Sequence, residues 1–253
     1  MTELLRIEDL VVRFGGRKGS NAVDGVSLSI GRGETLALVG ESGCGKSTLA
    51  RAVLRVQRIA SGRILFDGED ITHLSERQMR PFRRRMQMVF QDPYTSLDPL
   101  VSVGSSILEP RRAFSLGTAN SELAELMTTV GLSTEFRGRK PSELSGGQRQ
   151  RVGIARALSV EPELIVADEP VSSLDVSMQA QILNLLKRSA RSRGIAFLFI
   201  SHDLRAVKFL ADRVAVMEKG KIVEAGPTSE ILGNAQHPFT KRLIAAMPKT
   251  VSG

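Results

Sequence analysis

The chain has 253 residues, 42% of them hydrophobic, enough for one large domain or a core with an inserted subdomain. A formal charge of +8 favours anionic partners in general, but one Tyr and no Trp argue against a platform on which nucleic-acid bases stack. A single cysteine, Cys44, excludes an internal disulfide and a Cys-rich zinc site, and no run approaches the ~20 apolar residues of a membrane span, so any membrane role is expected to come from partners.

Residues 4–14 are apolar with interspersed charge, and the acids near the start argue against a signal peptide. A Gly-rich loop at 15–20 precedes residues 26–30 (VSLSI), whose alternation predicts a half-buried strand, and Gly31 and Gly33 then make a turn. Residues 35–39 (TLALV) form a short apolar run suited to a strand buried on both faces. It runs into Gly40-Glu41-Ser42-Gly43-Cys44-Gly45-Lys46-Ser47-Thr48, after which 49–56 has helical spacing.

That segment fits G-x-x-x-x-G-K-[ST] in full. The glycines let the backbone wrap a phosphate chain with its N–H groups inward, and the helix start adds the positive end of its dipole. Lys46 would reach the β- and γ-phosphates and Ser47 would offer its hydroxyl to Mg²⁺, with Thr48 in the same binding segment. A chance Gly-rich turn is the plainer alternative, but strand before and helix after are the context the phosphate reading requires. Cys44 is either a tolerated small residue or a thiol activated by the helix start.

Residues 63–66 and 86–90 read as further strands, with Arg83, Arg84 and Arg85 either a solvated basic face or a contact to membrane or phosphate. From 92 to 158 short, broken helical stretches such as 106–114 and 121–132 suggest a helical insertion. Strands at 164–167 and 195–200, joined through a helix at 176–191, indicate a parallel α/β core, closed by strands at 214–217 and 221–223. The strand at 164–167 ends in Asp168 and Glu169, where acids can face a phosphate loop. Asp168 would hold Mg²⁺ through water and Glu169 would act as general base on the attacking water, although acids there also cap helices.

Leu144-Ser145-Gly146-Gly147-Gln148 opens a helix at 148–159, as a second anion site or simply a capped helix start. This pentapeptide resembles the signature motif of the ABC ATPase family, and the resemblance covers nearly the whole chain with the motifs in the family's order. Gln91 then looks like the Q-loop glutamine that senses the γ-phosphate through Mg²⁺, Ser173-Leu174-Asp175 like the D-loop, and His202 like the switch histidine. Phe14 stands where an aromatic residue, often Tyr, stacks on adenine. Each has a plainer reading: Gln91 as a loop residue, Asp175 as a helix cap, His202 as a partner for a carbonyl. His73 and His237 are left structural.

The resemblance implies an α/β P-loop NTPase core with a parallel sheet, an N-terminal antiparallel β subdomain and an inserted helical subdomain. The core would span 1–91 and 159–235, the helical subdomain 92–158 and a short tail 236–253. It also implies ATP and Mg²⁺, and a head-to-tail dimer in which each signature closes the partner's ATP site. Residues 88–110, 145–158 and 166–186, and the tail from His237 to Leu243, resemble the ATP-binding subunits of dipeptide, oligopeptide and nickel importers. With Cys44 alone the chain cannot build the iron–sulfur cluster of related tails. Expected partners are two transmembrane permeases, docking at 94–107, a second ATP-binding subunit, either a different chain or another copy of this one, and a solute-binding protein, with the chain at the cytoplasmic face of the membrane. The rival is a soluble ABC-type ATPase acting on nucleic acid or ribosomes. Such proteins usually carry two nucleotide domains, coiled-coil or zinc insertions, and no nucleic-acid partner is expected here. Lys46, Asp168, Glu169 and His202 together argue against an inert regulator.

Overall fold

The computed structural model describes residues 2–15, 19–92 and 96–246, so parts of the expected 15–20 loop, of the 94–107 docking stretch and of the 236–253 tail lie outside the described residues. In chain order the elements are β1 (Glu3–Arg13), β2 (Asn21–Gly31), β3 (Thr35–Val39), α1 (Lys46–Val53), β4 (Ser61–Phe66), β5 (Glu69–Asp70), α2 (Glu76–Arg85) and β6 (Met86–Val89). There follow α3 (Val103–Ala113), α4 (Asn120–Thr129), 3-10 turns at Thr134–Gly138 and Pro141–Glu143, α5 (Gly146–Leu158), β7 (Leu164–Asp168) and α6 (Val176–Arg193). The chain closes with β8 (Ala196–Ile200), α7 (Leu204–Leu210), β9 (Arg213–Glu218), β10 (Lys221–Pro227), α8 (Thr228–Asn234) and α9 (Pro238–Ala245). Two compact units result, one from residues up to 73 and from 198 onward, the other from 74–197.

In the first unit an antiparallel sheet has the order β2-β1-β4-β5. Strand β1 buries Leu5, Ile7, Leu10 and Val12, a spacing that breaks strict alternation between Ile7 and Leu10. A bulge absorbs the extra residue: the pairing register shifts there, and Asp9 takes φ +46°. The Asp9 amide is satisfied by Ser27 Oγ at 2.9 Å, and Gly62 lies so close that a Cβ on it would stand 2.5 Å from the Asp9 carbonyl oxygen. Beyond this sheet the strand order is β10-β9-β3-β8, with β3 buried at every residue and parallel to β9 in the register Leu38↔Ala215.

The second unit pairs β6 with β7 in parallel, Met86↔Leu164 through Val89↔Ala167. Helix α2 was not anticipated from sequence. Arginines and Pro81 hide its apolar side, yet Ser75 and Gln78 form a full capping box, and Met79 and Phe82 are buried. Arg83 pairs with Glu76 at 2.6 Å and Arg85 with Glu163, while Arg84 is exposed. The stretch 92–158 contains α3, α4 and α5.

Several expected boundaries move. The helix expected at 49–56 runs over Lys46–Val53, starting directly from the glycine loop and ending where Arg55 takes φ +56°. The signature helix begins at Gly146 rather than 148, because Ser145 is its N-cap. The last strand runs to Pro227 instead of 223. His237 has a defined local job: its Nδ1 accepts the Phe239 amide at 3.3 Å and caps α9, while Glu224 receives the Gln236 and His237 amides at 2.7 and 3.1 Å.

Candidate nucleotide site

The phosphate loop is built within the first unit. Buried β3 delivers the chain at Val39, and the loop's rim, Glu41 to Gly43, is exposed. Gly45 is required by both conformation and space: its φ is +111°, and a Cβ there would stand 2.1 Å from the Ala22 carbonyl oxygen. Gly40 is similarly confined, with the Met217 carbonyl oxygen 2.2 Å from a would-be Cβ. The turn between β9 and β10 braces the loop, since the Gly220 amide donates to the Cys44 carbonyl at 2.9 Å.

Lys46 is only 6% exposed. Its Nζ donates to the Gly40 and Glu41 carbonyls, both at 2.8 Å, which folds the cation back over the loop. Helix α1 has no side-chain cap at Gly45 and no acid in its first turn. No acid of the helix's own first turn offsets its positive end, which suits an incoming phosphate. Cys44 is buried, its Sγ 3.8 Å from Lys46 Nζ, so the thiol faces the loop's interior. Ser47 and Thr48 are half-buried on the first turn. In the same unit His202 is exposed just after β8, on a bend held by the Asp203 amide bonding Ser201 Oγ at 3.0 Å. Phe14 is 47% exposed at the end of β1, an accessible ring of the kind adenine stacking needs.

The second unit assembles the carboxylates. The parallel register Val89↔Ala167 carries forward two residues to place Gln91 beside Glu169, and Gln91 Nε2 donates to Glu169 Oε2 at 3.3 Å. Asp168 ends fully buried β7 and is 4% exposed. Glu169 takes φ +45°, a left-handed conformation that costs on the order of 1–3 kcal/mol in a non-glycine residue and gathers at functional sites. Ser172 holds this turn, its amide and Oγ donating to the Glu169 carbonyl at 3.3 and 3.1 Å.

Ser145 and Gln148 form a capping box: Ser145 Oγ accepts the Gln148 amide at 3.3 Å and Gln148 Oε1 accepts the Ser145 amide at 2.9 Å. Asp175 caps α6, accepting the Met178 amide at 2.9 Å. The plainer readings of both as helix caps are therefore realised. Neither removes the other reading, since Gly146 and Gly147 still line an open cleft of about 500 Å³ with Gln91, Ser173 and Asp175. Sequence reasoning missed Ser172 and Met178, which also line it. The Ser172 signal was present in the run Ser172-Ser173-Leu174-Asp175, whereas nothing local marks Met178.

Among the described residues no group of three or more His, Cys, Asp or Glu could hold a metal ion by itself. Within the second unit Gln91 and Asp168 offer amide and carboxylate oxygens, and in the first Ser47 offers a hydroxyl; each is a hard donor of the kind Mg²⁺ takes alongside waters and substrate phosphates. No described helix is long and apolar enough to cross a membrane.

A family model described as ABC transporter matches residues 23–172. The oligopeptide transport ATP-binding protein OppF of Bacillus subtilis (strain 168) is 49% identical over 255 residues, 98% of this chain and 84% of that one. A probable peptide ABC transporter ATP-binding protein, y4tS of Sinorhizobium fredii, is 50% identical over 97% of this chain and 72% of its own. The glutathione import ATP-binding protein GsiA of Salmonella typhimurium is 49% identical over 97% of this chain, which spans only 41% of GsiA. Among solved structures, the dimeric post-hydrolysis state of the ATP-binding cassette MJ0796 bound to ADP and Pi superposes with a TM-score of 0.82 at 27% identity, covering 89% of this chain and 99% of that one.

Proposed function

Because this chain belongs to the ABC transporter ATP-binding family and is an importer ATPase, we propose that it drives uptake of peptides through two partner permeases fed by a solute-binding protein. The peptide and glutathione import proteins among its relatives support that solute class, and they lend nothing to nickel. It would work at the cytoplasmic membrane face, paired head to tail with a second, different ATP-binding subunit. The helical subdomain at 92–158 would meet the permeases.

The observation that carries the catalytic reading is the Gln91–Glu169 contact at 3.3 Å, made by residues 78 positions apart at the ends of paired parallel strands. Glu169 accepts a proton from the attacking water as its oxygen bonds the γ-phosphorus in line and the bond to the β-phosphate oxygen breaks, leaving ADP and phosphate. Gln91 orients that water and His202 contacts the γ-phosphate. Lys46 offsets charge on the β- and γ-phosphates, the amides of residues 40–48 cradle them, and Phe14 stacks on adenine. Ser47, Gln91 and Asp168 would hold Mg²⁺, which supplies further charge neutralisation when bound. Ser145, Gly146, Gly147, Gln148 and Asp175 close the site of the second subunit.

Replacing Glu169 by Gln tests this. Hydrolysis should fall by about 10³-fold, in the range of losses for a general base, while ATP still binds and the ATP-bound dimer accumulates in size-exclusion runs. Rapid turnover by that variant would remove Glu169 from the base role.

A further inference from the structure

Gly147 is the second residue of α5 and has no positive φ, so backbone conformation does not call for glycine there. A glycine in a helix is in general less favourable than alanine, so another constraint is expected to select it. Space offers one reason: an added Cβ would require the half-buried Met178 side chain to move. A Cβ on Gly147 would stand 2.5 Å from both Cγ and Sδ of Met178 and 2.8 Å from its Cε. The methionine side chain lies across the bare Cα of the signature turn. Next to it, a Cβ on Gly146 would meet Leu174 Cδ2 at an ordinary 3.8 Å.

Met178 is itself held from the other side. It is the third residue of α6, and its amide donates to Asp175 Oδ1 at 2.9 Å. The next residue, Gln179, donates through Nε2 to the Val171 and Leu174 carbonyls at 3.1 and 3.0 Å. Ser172 then ties the same turn to the Glu169 carbonyl. An unbroken series of contacts thus runs from Glu169 through the 172–175 turn and Met178 to Gly147. An unbranched thioether suits this place, because it can thread the narrow gap over a glycine where a β-branched side chain cannot.

We propose that Met178 is a positioning residue for ATP turnover: it interlocks with Gly147 and sets the height of the Ser145–Gly147 turn against the 172–175 turn and Glu169. The inference rests on the reading that Ser145–Gly147 closes a second subunit's nucleotide site, and it adds a reason for Gly147 independent of nucleotide contact. If the glycine serves Met178, shortening Met178 should make room for a larger residue at 147. If it serves only the approach of a phosphate, it should not.

The test is a double-mutant cycle read as ATP turnover of the assembled importer, with ATP affinity of the isolated chain measured alongside. Gly147→Ala should lower kcat about 100-fold, the scale of loss from a small misplacement of a catalytic group. Met178→Ala should lower it about tenfold and Met178→Leu by less than about twofold, since Leu and Met are near in volume. The double variant Gly147→Ala/Met178→Ala should turn over about tenfold faster than Gly147→Ala alone. In every case ATP affinity of the isolated chain stays at the parent value, because the phosphate loop is untouched. A double variant no faster than Gly147→Ala, or a Leu variant as slow as the Ala variant, overturns the interlock. When Ser145→Ala is also slow, that result leaves the signature reading standing. Parent-like turnover by both Ser145→Ala and Gly147→Ala would instead sink the signature reading, and the interlock with it.

Discussion

The phosphate loop and the cleft beside the signature helix are built by opposite constructions. The loop is one continuous segment, residues 40–48, launched from a buried strand into a helix and shaped by backbone. Its glycines are confined by carbonyls of residues 22 and 217, and its lysine bonds its own loop. The cleft is drawn from three separate segments around residues 91, 145 and 172, held by two helix caps, a glutamine and a methionine. A contiguous loop carries its geometry in a few φ angles. A discontinuous cleft depends on side chains that reach across from one segment to another, so it offers more places for small adjustments.

Substitutions should break the two constructions to different degrees. In nucleotide binding and stability, as distinct from turnover, the largest effect belongs to Lys46→Ala, expected to weaken ATP binding about 100-fold, or about 2.7 kcal/mol; calorimetry showing the parent affinity would count against the cradle. Gly45→Ala comes next. It forces a side chain against a carbonyl oxygen at an unfavourable φ, so a loss of about 2 kcal/mol in stability is expected from chemical denaturation. A midpoint unchanged from the parent would show that the loop is softer than its contacts imply.

In stability the cleft should give way by smaller steps. Asp175→Ala removes an N-cap worth about 1 kcal/mol, a drop of roughly 2–4 °C in Tm for a chain of this size, whereas Asp175→Asn should keep most of it. Equal melting of the two variants would mean the cap contributes nothing. The smallest effect lies outside both regions, at Asp70. Thr72, through its hydroxyl and its amide, together with Arg63 holds this carboxyl down at about 2, against 3.8 for the free group. A lowered carboxyl stabilises the fold above pH 3.8 and loses that contribution as pH falls toward 2. The group is well exposed, so the loss should stay below about 1 kcal/mol, read as the difference between the parent and Asp70→Asn in acid unfolding. A parent and variant that respond identically below pH 4 would remove Asp70 from the account.

Legibility followed the range of the interaction. The glycine loop, the acids at the end of β7 and the Ser-Gly-Gly helix start are local patterns, visible in a few adjacent residues and read through the elements that flank them. Helix α2 was hidden because its apolar residues, Met79 and Phe82, are two among arginines and a proline, and only burial reveals them as a face. The bulge at Asp9 was invisible because it answers to the partner strands and to Gly62.

By itself, then, the sequence determined the chemistry on offer: a phosphate loop with its lysine, an aspartate–glutamate pair ending a buried strand, a capped glycine turn, and the family these spell out. Only tertiary structure decided which of them meet. Strand register set Gln91 against Glu169, and packing between α5 and α6 put Met178 over Gly147. The physical reason is that backbone conformation and helix capping are governed by residues a few positions away, whereas register and side-chain interdigitation are settled by segments tens of residues apart that come together when the core closes.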